Sequence, residues 1–271
     1  MISEMRQHFE EHGWVRLEGV LDAKKINAYK STLDRIASGI WSLTGNDMTT
    51  TRIDTLILRD DSFIEFIKIP CILEAYTEIG GIAATLKNSW AFIKRPADFR
   101  HNAKEVQKYK QDMSYKKGWH RGSAPKWGMY EDECHPGMHH FPYLNFFVFL
   151  TDVGPGDGGT WAMDKSHKVH GDYAAVSKFC EPIEATCSAG DAFLFTESLM
   201  HSAPHILTEN TRYSMTYTFI PPFYCNMRHY EVPEWFLQNI RNADLRGVLG
   251  EWRGKLDQCY RKPYTYNFED V

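Results

Sequence analysis

The stretch YLNFFVFLTDVGPGDGGTWAMDKSHK, residues 143–168, decides the fold. Its first part, Tyr143–Thr151, is rich in aromatic and β-branched residues and reads as a strand. Gly154-Pro155-Gly156-Asp157-Gly158-Gly159 follows, a run of turn formers, and Thr160–Met163 resumes as a second short strand. Outward from this block the pattern repeats. Pro182–Cys187 and Ala192–Thr196 flank a turn at Ala189-Gly190-Asp191, and Thr211–Ile220 alternates through Tyr213, Met215, Tyr217 and Phe219. Short strands separated by Gly, Pro and Asp turns predict a mainly β protein of jelly-roll type.

The flanks read differently. FEEHGWVRLEGVL (9–21) joins a helical stretch to an alternating one, Asp22 stands as an N-cap, and Ile26, Tyr29, Leu33 and Ile36 recur at helical spacing. A further helical stretch is predicted within 62–86, and another after Pro221-Pro222, around Trp235–Gly250. The expected organisation is one domain over 1–271. It has a mostly helical flank (1–98), a basic segment and active-site loop (99–142), the main jelly-roll strands (143–220) and a helical tail (221–271).

Composition narrows the function. The chain has 271 residues, 43% of them hydrophobic and 14% aromatic, which excludes a disordered or fibrous protein. A net charge of −4 supplies no basic field for nucleic acid or an anionic membrane. The longest apolar run, Phe146–Leu150, falls far short of the roughly 20 residues of a membrane span. Charges occupy the place of a signal peptide's apolar core, and the six cysteines form no C-x-x-C pair. A reduced, cytoplasmic protein acting on a small molecule is the expectation.

Twelve histidines invite metal chemistry. A mononuclear Fe(II) site takes two His and one carboxylate and keeps the remaining positions open. A strand places residues i and i+2 on one face, so His-x-Asp/Glu on an early strand and a distal His on a late one is the usual form. His8-Phe9-Glu10 and His229-Tyr230-Glu231 match literally but lie in the opening helix and after the last strand. His170-Gly171-Asp172 leaves too few strands before His201 and His205. Trp119-His120-Arg121-Gly122 has the right spacing to His201, with Gly where a carboxylate belongs. Further on, Arg212-Tyr213-Ser214 offers a guanidinium and a hydroxyl on one strand face. That pair suits the distal carboxylate of a 2-oxoacid, the alternative being a structural ion pair.

With these residues in view the chain resembles the phytanoyl-CoA dioxygenase family of Fe(II)/2-oxoglutarate oxygenases, over roughly residues 8–220. The resemblance is carried by FEEHGWVRLEGVLD, WHRG, the 143–168 block, AGDAFLFTESLMHSAP and TRYS. It departs from the family at Gly158-Gly159, where Asn-Gly is usual, and at Lys165, where Gly usually precedes Ser166-His167. It implies a double-stranded β-helix (cupin-like) core. It also implies His120 and His201 as metal ligands, Arg212 and Ser214 as the 2-oxoglutarate anchor, and Phe147 beside the cosubstrate. Fe(II), 2-oxoglutarate and O2 are the implied cofactors. Gly122 is the departure that matters, since the family usually has Asp there. An H-x-G sequence resembles the radical halogenases, in which chloride takes the missing carboxylate's place, and Arg121 and Ser123 would help hold that halide. Chlorination of an unactivated C–H bond is therefore the first expectation. The second is hydroxylation, with a third ligand from Glu131, Asp132, Glu133 or water. The third is a catalytically inactive binding protein on the same fold.

Two segments remain. Residues 99–118 carry Arg100, Lys104, Lys108, Lys110, Lys116 and Lys117 against Glu105 and Asp112. They read as a solvated face or as a basic segment over the site that grips an anionic substrate. Residues 121–142 show no periodicity and read as a functional loop. Its Cys134, His135, His139 and His140 fit no standard zinc spacing and are expected to line or cover the pocket.

Overall fold

Alternation along one long strand, Arg212–Ile220, divides the molecule into two sides. The structure is a computed structural model that describes residues 3–44, 49–112, 118–132, 134–222, 232–251 and 266–268. Lys116, Lys117, Glu133 and the 229–231 stretch lie outside the described residues. The strands are β1 (Trp14–Leu17), β2 (Thr50–Asp54), β3 (Thr85–Lys94), β4 (Tyr130–Glu131), β5 (His139–His140), β6 (Leu144–Phe149), β7 (Trp161–Met163), β8 (Pro182–Glu184), β9 (Ala192–Thr196), β10 (His201–Ser202) and β11 (Arg212–Ile220). The main sheet runs β1-β9-β6-β11-β3-β2, a smaller one runs β10-β7-β8, and β4 pairs with β5. Every pairing between these strands is antiparallel.

On one face of the main sheet Met215, Tyr217 and Phe219 of β11 join Phe146 and Val148 of β6, Leu194 of β9 and Ile93 of β3. This face buries its apolar side chains against three helices. The first, α1 (Glu4–His12), is capped by Ser3, whose hydroxyl accepts from the Arg6 N–H at 3.1 Å, and ends at Gly13 with φ 80°. It contributes the fully buried Phe9. The second, α2 (Ala23–Thr44), follows Asp22, whose carboxylate accepts from the Lys25 N–H at 2.8 Å, and buries Tyr29, Leu33 and Ala37. The third, α3 (Pro70–Gly80), starts on a proline, which has no N–H to leave unpaired. The helical stretch expected within 62–86 is α3, at 70–80. Tight turns precede Pro70, and the chain after Gly81 becomes β3, a strand that periodicity alone does not reveal.

The opposite face carries Arg212, Ser214 and Thr216 beside Phe147, Phe149, Phe193 and Phe195. Phe149, Phe193 and Phe195 form a second apolar cluster with Ala162, Ala185 and Leu199, which Phe147 and Ile183 join from its edge. Two antiparallel sheets thus stand face to face, with helices outside the larger one. This is the expected double-stranded β-helix core. Among the described residues no helix is long and apolar enough to cross a membrane.

Candidate active site

His120 and His201 meet. They form an antiparallel bridge in which each backbone N–H donates to the other's carbonyl, at 3.0 and 2.9 Å. Their rings lie 4.3 Å apart. Each ring nitrogen Nδ1 lies against the carbonyl two residues earlier, His120 on Gly118 at 2.8 Å and His201 on Leu199 at 2.9 Å. A carbonyl only accepts, so both rings carry their proton on Nδ1 and keep the Nε2 lone pair free. This is the tautomer a metal ligand needs. Burial pushes the His201 imidazole below its usual range, opposed by the charge of Glu197 and reinforced by His120.

Gly122 does not face open space. A Cβ there would run into Glu197, meeting its Oε1 and Cγ and lying 2.7 Å from its Cδ. The backbone causes this approach. The Leu199 N–H donates to the Thr196 carbonyl at 2.9 Å, closing a turn that brings Glu197 across from the motif. The Gly122 N–H then donates to the Glu197 carbonyl at 3.0 Å. Asn145 of β6 donates to Oε2 of Glu197, and Thr218 of β11 donates to Oδ1 of Asn145 at 2.7 Å. Neither Glu197 nor Asn145 was anticipated. The quoted AGDAFLFTESLMHSAP contains Glu197, but only the turn after β9 aims it at Gly122. The Glu197 carboxylate thus lies beside Gly122, where a Cβ would begin.

Arg212 is 5% exposed, and its Nε and Nη1 take no hydrogen-bond partner among the described residues. The hydroxyls of Ser214 and Thr216, next along the same strand face, are likewise buried without a partner. Burial pulls the guanidinium down to about 10, with Glu184 opposing. Lys94 lies opposite Arg212 in the β3–β11 register and donates to the carbonyls of Ala203 and Pro204, at 3.2 and 2.6 Å. Burial, then the charge of Arg212, brings Lys94 down to about 7. Phe147 sits one ring away from the histidines. It packs on Phe195 at 5.5 Å, and Phe195 packs edge-on against His201 at 4.9 Å.

The other expected residues are engaged elsewhere. Arg121 donates through Nη1 to the carbonyls of Val169 and Ser166, at 3.0 and 3.3 Å, while its Nε and Nη2 take no partner among the described residues. The Ser123 hydroxyl lies 3.1 Å from that of Ser198. Glu131 accepts from the Gly137 N–H at 2.7 Å, and Asp132 binds His140 and His135, at 2.7 and 2.9 Å. Those hydrogen bonds hold the Asp132 carboxyl well below the usual range. His139 reaches Glu10 at 3.0 Å. His139 and His140 therefore staple the β4–β5 hairpin to α1, through Glu10 and Arg6, while His135 pairs within its own loop. The loop is also less irregular than predicted, holding that hairpin and a helical turn at Pro125–Gly128.

The basic segment contributes α4 (Ala103–Gln111), whose Lys104, Lys108 and Lys110 are exposed. Tyr109 docks it. Its hydroxyl accepts from the His205 N–H at 2.9 Å, and its ring stacks on Trp161 at 5.9 Å. Trp161 stacks in turn on Trp119, beside His120, at 6.2 Å. Arg100 is paired with Glu209 at 2.9 Å.

These residues fit the cofactors that the sequence implies. The paired imidazoles present two nitrogen donors. The unpartnered N–H groups of Arg212 and the Ser214 hydroxyl are donors that a buried carboxylate would satisfy, and leaving such groups unmet is costly.

A dioxygenase of Penicillium canescens, olcK, is 31% identical over 101 residues, 36% of this chain and 32% of that protein. The chain therefore spans about a third of that relative's length. HygX from Streptomyces hygroscopicus, solved with nickel and 2-oxoglutarate, superposes with a TM-score of 0.63 at 18% identity, covering 84% of this chain and 90% of its own. The non-heme alpha ketoglutarate dependent epimerase SnoN, from nogalamycin biosynthesis, gives 0.57 at 15% identity, covering 80% and 82%. AviO1 from Streptomyces viridochromogenes Tue57 gives 0.60 at 13% identity, covering 83% and 98%. At these identities the likeness speaks for the fold. Residues 9–214 match the family described as Phytanoyl-CoA dioxygenase (PhyH), and the chain belongs to that family.

Proposed function

We propose that this protein is an Fe(II)- and 2-oxoglutarate-dependent oxygenase that oxidises an unactivated C–H bond of a small molecule. The observation that carries the reading is Arg212, a buried guanidinium with two N–H-bearing nitrogens unpartnered, on the inner face of the main sheet. An inactive fold has no need to retain such a costly group. When bound, iron and 2-oxoglutarate supply an O2-dependent oxidation that releases succinate and CO2. His120 and His201 hold the metal through Nε2, their Nδ1 protons being committed to Gly118 and Leu199. Arg212 and Ser214 grip the distal carboxylate of 2-oxoglutarate. Phe147, Phe193 and Phe195 wall the chamber against water.

Hydroxylation takes precedence over chlorination in this reading. A halide at Gly122 needs both space and positive field, and Glu197 occupies the space with negative charge. Chlorination is the second reading and rests on Gly122 itself. α4 lies beside the chamber and presents lysines, which favours an anionic substrate.

The test is succinate release from a panel of small acids with Fe(II), 2-oxoglutarate and O2, with products weighed by mass in the presence and absence of chloride. Succinate release that Arg212→Ala abolishes supports the reading. Wild-type protein that binds no 2-oxoglutarate would sink it. A chlorinated product would replace hydroxylation with chlorination.

A further inference from the structure

We propose that Glu197 is the third, carboxylate ligand of the metal site, supplied by the turn after β9 in place of the residue missing at Gly122. The inference rests on the reading of His120 and His201 as metal ligands. It goes further in assigning the anionic donor to a segment remote in sequence from the H-x-G motif.

Position argues for it first. Glu197 and Gly122 are joined backbone to backbone, and the Glu197 side chain lies where a side chain at Gly122 would begin. The carboxylate is therefore brought beside the motif position where the usual Asp would be attached. Its support argues second. Oε2 is held by Asn145, itself held by Thr218, while Oε1 is the oxygen turned toward the Gly122 gap. Asn145 and Thr218 thus hold the carboxylate near the histidine motif, with its other oxygen facing Gly122. Asn145 and Thr218 are its positioning residues. Charge argues third. Two neutral imidazoles leave a divalent ion's charge unbalanced in a chamber walled by phenylalanines, and one carboxylate offsets half of it.

Gly122 then has a physical reason. Any side chain there would strike Glu197, so the glycine is clearance for a ligand rather than the trace of a lost one. Among the described residues no three His, Cys, Asp or Glu side chains already converge to hold a metal ion. To serve as the third ligand, Glu197 would turn about its side-chain bonds toward the imidazole edges and release Asn145.

The experiment measures Co(II) binding calorimetrically and by the visible spectrum of the Co(II)-loaded full chain, with no turnover needed. Glu197→Ala should weaken Co(II) binding at least about tenfold and change the spectrum. Gly122→Asp/Glu197→Ala should restore both, since the double variant moves the carboxylate back to the motif and removes the clash. Chloride should perturb the Co(II) spectrum of Glu197→Ala and leave that of the wild type unchanged. Wild-type affinity and spectrum in Glu197→Ala would overturn the proposal, as would a wild-type spectrum that shifts with chloride. His201→Ala separates this failure from a deeper one. If it abolishes Co(II) binding while Glu197→Ala changes nothing, only the role of Glu197 falls. If His201→Ala also binds normally, the site assignment falls with it.

Discussion

Lys94 and Arg212 stand directly opposite each other on β3 and β11, so two buried cations share one end of the inner chamber. Burial, and then the charge of Arg212, lowers the proton affinity of Lys94 to about 7. A bound 2-oxoglutarate carboxylate at Arg212 would favour charged Lys94, so binding should draw in a proton once Lys94 is neutral. The affinity should be highest below about pH 7 and fall by up to roughly tenfold per pH unit above it. Calorimetric titration of 2-oxoglutarate between about pH 6 and 9 checks this, and Lys94→Met should flatten the profile. The stability linkage has a definite sign. The unfolded chain holds this proton more tightly, so the Lys94 contribution rises with pH between about 7 and 10.5. The wild type should gain melting temperature over that window relative to Lys94→Met.

Arg212 is a two-pronged donor, and its fork is what a carboxylate matches. Arg212→Ala should weaken 2-oxoglutarate binding by about a hundredfold or more, the usual cost of removing one partner of a buried charged pair. Arg212→Lys should recover only part of that, because a single ammonium cannot reproduce two parallel N–H bonds. Equilibrium binding to the two variants, with circular dichroism to confirm folding, decides it.

Gly159 is a packing constraint where the family pattern has its own glycine. A Cβ there would meet the Ala185 carbonyl oxygen and lie 3.1 Å from its carbon. Backbone cannot step aside as a side chain can. Gly159→Ala should therefore cost about 1–3 kcal/mol, read as a lowered midpoint in urea.

Tyr109 is the clasp of α4. It and Val106 are the only residues of that helix not fully exposed. Tyr109→Ala should release the helix from Trp161 and His205 while leaving the core intact. Trypsin should then cut at Lys104, Lys108 or Lys110 faster than in the wild type, with little change in global unfolding. Unchanged cleavage would mean the segment is held by other contacts.

How far the sequence could be read depended on which forces it makes local. β6, β9 and β11 announce themselves because both of their faces are buried, filling them with aromatic and β-branched residues. β3 stays hidden, because Lys87 and Ser89 interrupt one of its faces and Asn88 and Lys94 the other. Its strand character is imposed by pairing with β11 along almost its whole length. The pairing of His120 with His201 was legible from chain order, and so was the absence of a carboxylate at position 122. What fills that gap was not legible. Period-2 spacing speaks for neighbours on one strand, and Glu197 arrives from a turn whose closure at Thr196 and Leu199 only three dimensions reveal.

β11 lies between β6 and β3, flanked by hydrogen-bonded partners on both sides, whereas His120 joins the fold through an isolated two-residue bridge. The two halves of the chamber therefore keep different time. The floor bearing Arg212 opens only with the whole sheet, while the edge bearing His120 is held by its two hydrogen bonds to His201 and by those from Gly122 and Ser123 to the Glu197 carbonyl. Such a vessel keeps a lasting floor and has its rim on a faster clock.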